Sequence, residues 1–361
     1  MLRGMPRRFQ IALHGTDQRF EVEDGETVLE AARRAGLALP YSCLGGICGS
    51  CKATVVSGEW SYPLQPPTAL NAAERASHQV LLCQAVPRSD LVLVARQVPS
   101  AADVPRRVLP LKLRALDRLA PDVARLDLVP PRGLNWRWLA GQYLDVLLSD
   151  GRRRAFSIAN APEQSDHVEL HIRHIEGGGF THRVFHELEP GAVLRVEGPL
   201  GTFVPREDSE RAMLFVAGGT GFAPIKALIE HFLHLGTARP MHFYWGARAE
   251  RDLYLPELPG QWAARHPAFY YTSVLSDPGE GEAERHRTGP VHLAVLEDFP
   301  DMSEFDVYMS CPPAMIEAAR RAFADARLPE ERLYYDSFEY APDVIAAITR
   351  QRAGIAPERQ E

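Results

Sequence analysis

The chain has 361 residues, of which 45% are hydrophobic and 24% charged, and its formal net charge at pH 7 is −7. This length exceeds one ordinary domain of roughly 100–200 residues, so we expect two or three domains. The sequence has no apolar run of about 20 residues and no concentrated basic stretch beyond Arg152–Arg154, which argues against membrane insertion and against nucleic acid as a partner. Arginines occur within Met1–Phe9, but no apolar run follows them; we therefore expect no secretory signal and a cytoplasmic protein.

The first segment begins with strand-like alternation. Phe9–Leu13 and Arg19–Val22 predict a β-hairpin, and Thr27 is a suitable N-cap for a short helix over Val28–Ala35. Val98–Pro110 contains three prolines and has no periodic pattern, so it indicates a linker and a domain boundary.

The middle and last segments differ in the period of their apolar residues. From about Leu111 to Pro205, alternating runs such as Leu144–Leu148 and Val168–Arg173 are broken by glycine and proline, which is typical of a small antiparallel barrel. From Ala212 onward, buried strands alternate with helical stretches, and this pattern predicts a doubly wound α/β domain. The elements predicted there are Met213–Ala217, Pro224–Leu235 and Met241–Trp245.

Four of the five cysteines share one pattern. Cys43, Cys48 and Cys51 follow the spacing C-x4-C-x2-C, and 31 further residues separate Cys51 from Cys83, which matches the plant-type [2Fe–2S] pattern. The glycines of this loop would let the backbone wrap tightly around a cluster held by four thiolates. A structural zinc site is one alternative, although zinc spacings usually come as two C-x2-C pairs, and a disulfide pair is another.

The sequence around these cysteines resembles a known family. Pro40–Cys51 and Leu82–Gln84 are similar to plant-type ferredoxin, and the resemblance covers about residues 8–97. It implies a β-grasp ferredoxin domain at residues 1–100 that holds a [2Fe–2S] cluster through the four cysteines.

Three motifs in the middle segment point to a flavin. Arg154–Ser157 has the form R-x-[FY]-S, which combines a guanidinium for phosphate, an aromatic ring and a hydroxyl, although a barrel strand with an exposed arginine would look the same. Gly177–Thr181 opens a predicted helix, whose first amides can hold a pyrophosphate. Together with Glu197–Phe203, these motifs resemble the FAD domain of the ferredoxin–NADP reductase family, here placed at residues 106–207.

The resemblance also implies roles for single residues. Arg154 would clamp the FAD phosphates, Phe156 would stack on the flavin, and Ser157 would lie beside its hydride-accepting nitrogen as a catalytic residue. His171 and Arg173 would lie on the strand beside the flavin, with a position on the barrel surface as the alternative. The other flavin contacts predicted are Ala155, Ile172, Gly178, Gly179, Phe180 and Thr181. Because side chains alternate along a strand, Arg153 should face away from Arg154 and Arg152.

The last segment carries a nicotinamide motif. Phe215–Pro224 is a strand, a glycine turn and a proline at a helix start, so phosphate would lie against the first helical amides. The pattern GGTGxxP is not the GxGxxG fingerprint, but it resembles the nicotinamide-binding turn of the same reductase family. The resemblance implies a doubly wound nicotinamide domain at residues 208–340 and contacts from Gly218, Gly219, Thr220, Gly221 and Pro224.

Three further positions follow from this resemblance. Cys311, after the strand Phe305–Met309, would lie near the nicotinamide ring as a catalytic residue, next to Pro312, although the family has Cys-Gly here and a buried filler is the alternative. Arg248 lies where the family reads the adenosine ribose, and the absence of a basic cluster beside it favours NADH over NADPH. Phe338 would shield the flavin as a catalytic aromatic residue, with a core position as the alternative.

Together the three modules predict a converter between two-electron and one-electron chemistry. Hydride carries two electrons and a [2Fe–2S] cluster accepts one, so FAD must hold the second. The domain order resembles reductase components of multicomponent oxygenases. A closer resemblance, through Gly178–Thr181, Val196–Gly201 and Thr220–Ala227, is to the CDP-6-deoxy-3,4-glucoseen reductases.

These resemblances imply a protein as the electron acceptor, either an oxygenase component or a deoxysugar dehydrase. One alternative is a diaphorase that reduces free quinones or flavins; another is a cluster-binding module whose flavin half is degenerate. We expect a monomer, with residues 341–361 as a C-terminal tail.

Overall fold

The computed structural model describes residues 7–338, apart from 64–65, 99–100, 102–103 and 135. The predicted tail, residues 341–361, therefore lies outside the described part of the chain. Within that part, none of the helices combines the length and the apolar composition needed to cross a membrane.

The chain divides into two compact units. One consists of residues 1–105 together with Gly201–Phe203, and the other consists of residues 106–200 and 204–361. In the first unit, Thr202 Oγ1 accepts a hydrogen bond from the Tyr41 amide at 2.8 Å and donates to the Tyr41 carbonyl at 3.1 Å. The Gly201 amide donates to the Tyr41 hydroxyl at 3.1 Å.

The first unit has the predicted β-grasp fold. Its strands are β1 (Arg8–Leu13), β2 (Arg19–Glu23), β3 (Lys52–Ser57), β4 (Trp60–Ser61), β5 (Gln79–Leu81), β6 (Val86–Pro87) and β7 (Leu91–Val94), and its helices are α1 (Val28–Arg34) and α2 (Ala72–Ala76). The main sheet has the order β2-β1-β7-β3-β5, with β1 and β7 parallel and the other pairs antiparallel. Thr27 caps α1 through a reciprocal capping box with Glu30, as its sequence predicts, and the apolar face of α1 joins the core of this unit.

The barrel of the second unit is antiparallel throughout. Its strands are β8 (Arg107–Ala120), β9 (Val123–Val129), β10 (Tyr143–Leu147), β11 (Arg153–Ser157), β12 (Val168–Arg173) and β13 (Val193–Leu200), and α3 (Gly179–His186) follows β12. They run in the order β11-β10-β13-β8-β9-β12, and a bridge between Ile158 and Leu170 brings the two ends of the sheet together.

The rest of the second unit is a parallel sheet with helices. Its strands are β14 (Ala212–Gly218), β15 (Met241–Ala247), β16 (Phe269–Leu275), β17 (Arg287–Thr288), β18 (Phe305–Cys311) and β19 (Leu333–Ser337). Its helices are α4 (Phe222–His234), α5 (Leu258–Ala263), α6 (Val291–Asp298) and α7 (Pro313–Asp325). The order β17-β16-β15-β14-β18-β19 reverses beside β14, which creates the crevice where doubly wound folds bind nucleotides.

Several predicted boundaries differ from the structure by one or more residues, and two of the differences have a local cause. Helix α4 begins at Phe222, two residues before Pro224, because the short 3₁₀ turn Gly219–Gly221 leads directly into it. Strand β18 continues past Met309 to Cys311, because Ser310 still pairs with Ala217 of β14 and Cys311 pairs with Ser337 of β19.

A buried ionic cluster joins the barrel to the parallel-sheet part of the second unit. The Nζ atom of Lys226 on α4 lies 3.2 Å from a carboxylate oxygen of Glu169 on β12 and 3.0 Å from one of Glu230. Burial alone would raise the pKa of Glu169, but the hydrogen bond from His171 and the charge of Lys226 lower it well below its ordinary value. Lys226 also donates to the Ala159 carbonyl at 3.2 Å. Lys226 is thus surrounded by oxygen atoms from both parts of the unit.

We expect Lys226→Met to destabilise the protein strongly, because two buried carboxylates would lose their cation. Removing one partner of a buried ion pair lowers the free energy of unfolding by about 3–5 kcal/mol. For a unit of this size, that loss corresponds to a fall in Tm of roughly 6–20 °C. Lys112→Met, which removes an exposed lysine on β8, is the matched control and should change the Tm little. Equal Tm values for the two variants, measured by circular dichroism, would contradict the interpretation.

Candidate functional site

The four cysteines of the C-x4-C-x2-C pattern come together in the first unit. Cys43, Cys48 and Cys51 lie in the loop between α1 and β3, and Cys83 follows β5. The Leu82 amide donates to the Cys51 carbonyl at 3.1 Å and so ties the two segments. All four are free thiols, and they interact as two hydrogen-bonded pairs, Cys43 with Cys48 and Cys51 with Cys83.

Backbone amides of this loop stabilise negative charge on sulfur. The Gly45 amide donates to Cys43 Sγ at 3.3 Å. The pKa of Cys43 is lowered to about 6, first by the hydrogen bond from the Cys48 thiol and then by amides that include those of Ile47 and Gly45. Cys83 also has a lowered pKa, through Cys51 first and the Gly46 amide among the other causes. In each pair the donor thiol, Cys48 or Cys51, has a raised pKa because it donates to its partner and is buried. The convergence of the four sulfurs in a loop with amide donors fits a cluster held by cysteine ligands.

One loop glycine has a specific steric role. Gly46 has φ +79°, and a Cβ there would lie 2.8 Å from Gln84 Cγ and 3.2 Å from Pro67 Cβ. Gly45, in contrast, does not adopt a positive φ, and it contributes through its amide. Leu44 does adopt a positive φ of 57°, which nothing in its residue type predicts.

In the second unit, the arginines of β11 diverge as their alternation predicts. Arg153 forms ion pairs with Glu197 and Asp145, whereas Arg154 is half-buried on the other side of the strand. Ala155 is exposed like Arg153, and Phe156 is half-buried like Arg154. Arg154 and Phe156 therefore share a face, whereas Ala155, which was also predicted to contact FAD, lies on the opposite face with Arg153.

Phe156 brings the first flavin motif to the second. The centroid of its ring lies 5.5 Å from the centroid of the Phe180 ring, which is at the start of α3. Gly178 precedes this helix, and a Cβ there would lie 2.7 Å from Thr181 Oγ1 and 3.0 Å from the Ile175 carbonyl oxygen. Because the first amides of a helix have no partner within it, this junction can bind an anion.

Thr181 holds the turn that precedes α3. Its hydroxyl accepts a hydrogen bond from the Ile175 amide at 3.1 Å and lies 3.0 Å from the Gly178 carbonyl, to which it donates. Both bonds are to backbone atoms, so the hydroxyl shapes the site through the turn.

Strand β12 places its predicted flavin residues in different surroundings. Ile172 belongs to the barrel core. His171 is buried, with Nε2 2.8 Å from Glu169 and Nδ1 3.0 Å from the Tyr254 hydroxyl, so it does not lie on the barrel surface. Arg173 pairs with Asp122 at 2.6 Å, and its Nη2 atom lies 3.8 Å from the position of a Cβ built on Gly219.

The glycine turn after β14 packs against the ends of β18 and β19. A Cβ on Gly221 would lie 1.9 Å from the Ser310 carbonyl oxygen and 2.9 Å from Phe338 Cε1. A Cβ on Gly218 would lie 3.3 Å from Cys311 Sγ and 3.2 Å from Pro312 Cδ. Thr220 is half-buried within the turn, and Pro224 is buried in the first turn of α4. Cys311, Pro312 and Phe338 therefore border the predicted nicotinamide turn.

Cys311 is a fully buried thiol whose pKa is raised by burial. Its Sγ atom lies 3.8 Å from the Val216 carbonyl, to which it donates. The sequence Cys-Pro-Pro, which departs from the family pattern, fits here because Pro312 is the N-cap of α7 and Pro313 its first residue, where proline is favoured.

A carboxylate that no motif predicts lies beside Ser157. Ser157 Oγ donates to Asp336 Oδ2 at 3.4 Å, across 179 positions of the chain. Asp336 is buried on β19, in the same short segment as Phe338, and this neighbourhood is the one signal that could have found it. Ser157 therefore lies beside the end of β19, where Cys311 pairs with Ser337 and Phe338 follows.

Family models match all three modules. The 2Fe-2S iron-sulfur cluster binding domain matches residues 11–88, the oxidoreductase FAD-binding domain residues 110–204, and the oxidoreductase NAD-binding domain residues 215–321.

Relatives match the chain over nearly its whole length. A CDP-6-deoxy-L-threo-D-glycero-4-hexulose-3-dehydrase reductase of Yersinia pestis is 38% identical over 328 residues, covering 91% of this chain and 98% of the relative. Reductase component 2 of terephthalate 1,2-dioxygenase from Comamonas is 34% identical, covering 92% and 98%. The crystal structure of a cytochrome P450 reductase from Amycolatopsis has a TM-score of 0.73 and 33% identity, covering 91% and 98%.

We expect Gly221→Ala to destabilise the second unit by about 3 kcal/mol or more, at the upper end of overpacking, because the new Cβ would overlap a backbone carbonyl. Gly260→Ala is the matched control: a Cβ built on Gly260, within α5, meets no atom within 4 Å. Urea unfolding should give Gly260→Ala a stability equal to the parent or higher by about 0.5–1 kcal/mol. Similar midpoints for both variants would show that the turn tolerates a side chain.

Proposed function

The chain belongs to the family of oxidoreductases that join a 2Fe-2S cluster binding domain to FAD-binding and NAD-binding domains, and on that basis we propose that it moves electrons from NADH to a partner protein. The observation that carries this proposal is the convergence of four free thiols in an amide-rich loop. Such a loop supports the cluster as the one-electron outlet. A cluster held by cysteine thiolates requires cysteines that are kept reduced, so we place the reductase in the cytoplasm.

The residues of the second unit fit FAD. When bound, FAD accepts a hydride and passes its two electrons on singly. Arg154 and the first amides of α3 would hold its pyrophosphate, because both can donate to anionic oxygen. Phe156 would supply an aromatic surface for the ring system. Ser157, hydrogen-bonded to Asp336, would present its oxygen at the reactive nitrogen in an orientation that the carboxylate fixes.

We assign NADH as the donor because Arg248 and Arg285, near the predicted ribose site, are both paired with carboxylates. Arg248 Nε lies 3.1 Å from Asp252 Oδ2, and Asp252 Oδ1 lies 3.8 Å from Arg173. Arg285 forms an ion pair with Glu250, which is two residues after Arg248 in the sequence. A 2′-phosphate favours cations that carboxylates do not neutralise, so this region suits the unphosphorylated ribose.

The acceptor in this proposal is a protein with a one-electron centre. By their names, the relatives are the reductase of a hexulose dehydrase and a reductase component of a dioxygenase. An oxygenase component or a dehydrase is therefore the acceptor class that we propose. In the domain plan proposed with it, residues 106–207 bind FAD and residues 208–340 bind the nicotinamide.

We expect Cys48→Ser to remove the cluster and to abolish electron delivery to a protein acceptor such as cytochrome c. NADH-driven reduction of ferricyanide, which can take electrons at the flavin, should stay within about twofold of the parent. Iron, sulfide and flavin contents are measured in parallel. Loss of ferricyanide reduction in a variant with normal flavin content would overturn the proposed electron order.

Arg154→Ala should weaken FAD binding, because it removes a charge-assisted contact. Such contacts contribute about 1.5–3 kcal/mol, or roughly ten- to a hundredfold in affinity. Arg152→Ala is the matched control: Arg152 is exposed and bonded to Asp150 at 2.7 Å. The measurement is the FAD dissociation constant by fluorescence titration of the apoprotein. Equal constants for the two variants would remove Arg154 from the flavin site.

A further inference from the structure

Three histidines of the second unit, two of them on α3, lie close together. His182 and His186 are four residues apart on this helix, so they project from one face. His174 comes directly after β12, from a separate element. The ring centroids of His182 and His186 are 4.4 Å apart, and those of His174 and His186 are 5.9 Å apart.

The spacing of these rings suits metal coordination. One ring nitrogen from each histidine lies within 4.8 Å of those of the other two. Three imidazole nitrogens bound tetrahedrally to one Zn²⁺ at about 2.0–2.1 Å lie about 3.3 Å from one another, so the gap to close is at most about 1.5 Å (4.8 minus 3.3). His182 and His186 are exposed, and small rotations of their side chains can close that gap.

The surroundings supply neutral imidazole and a nearby carboxylate. Burial lowers the pKa of His174, followed by the charges of His186 and His182. Metal ions bind this unprotonated form. His182 Nε2 lies 4.0 Å from a carboxylate oxygen of Glu187. Arg118 packs over the Phe185 ring at 3.8 Å, and its positive charge disfavours a bound cation near His174. The negative charge of Asp122 favours a bound cation.

We propose that His174, His182 and His186 bind a divalent transition metal ion of the zinc class. Imidazole nitrogen is the donor that Zn²⁺, Cu²⁺ and Ni²⁺ share, and three such donors leave further positions for Glu187 or water. Because His174 follows strand β12 and the other two histidines lie on α3, the bound ion would cross-link the helix to the end of β12.

The test is zinc binding by protein loaded with its cluster and FAD, so that the four cluster cysteines are occupied. Iron, sulfide and flavin contents establish the loading, and equilibrium dialysis against ZnCl₂ at pH 7.5 with elemental analysis gives the bound zinc. We expect one zinc per chain in the parent. His182→Ala and His186→Ala should each weaken the affinity by at least about tenfold, since even the loss of an outer-shell partner has that effect.

His234→Ala, which removes another exposed histidine of the same unit, is the matched control and should bind zinc like the parent. Zinc-edge X-ray absorption of the parent should show nitrogen and oxygen neighbours. Equal affinity in His182→Ala, His186→Ala and the parent overturns the proposal, and so does a sulfur neighbour, which would place the zinc on cysteine.

Discussion

Lys226 is buried between Glu169 and Glu230, and a charge in that position has to keep its partners. Glu169 lies on β12 of the barrel and Lys226 on α4, so this one cluster fixes the distance between the two halves of the second unit. The glycine turn comes directly before α4, and Arg173 at the end of β12 reaches Gly219. The meeting of Ser157 with Asp336 requires the same alignment. A shift of α4 relative to β12 would separate Lys226 from Glu169 and Gly219 from Arg173.

The site predictions were based mainly on local features of the sequence. The C-x4-C-x2-C spacing, the glycine turns and the alternation of the arginines in β11 each depend on residues within a few positions of one another, whereas Cys83 follows Cys51 after 31 further residues. In the structure, the four cysteines accordingly lie together, Arg153 and Arg154 lie on opposite faces of β11, and the chain forms a tight turn that ends at Gly221. The three-module fold predicted from these motifs is confirmed by the sheets and by the family models.

The contacts that escaped prediction join distant parts of the chain. Ser157 and Asp336 meet across 179 positions, and neither side chain alone indicates the other. The burial of Lys226 could not be predicted from the sequence either, because a lysine in an amphipathic helix is ordinarily exposed. For Cys311, the sequence left the turn geometry open, and the two prolines resolve it by starting α7 at once. Pairing patterns of this kind depend on the whole topology.

The first unit cannot be transferred to another protein as one continuous segment as easily as its position at the start of the chain suggests. Its two ends form adjacent parallel strands, β1 and β7, inside the sheet, so neither end can be trimmed without opening the sheet. Tyr41, two residues before the first cysteine, obtains its hydrogen bonds from Gly201 and Thr202, which are encoded about 100 residues after the linker. A chimera that transplants only the continuous segment would expose the Tyr41 amide beside the cysteine loop. Grafting this module onto another reductase therefore requires carrying the short second segment as well.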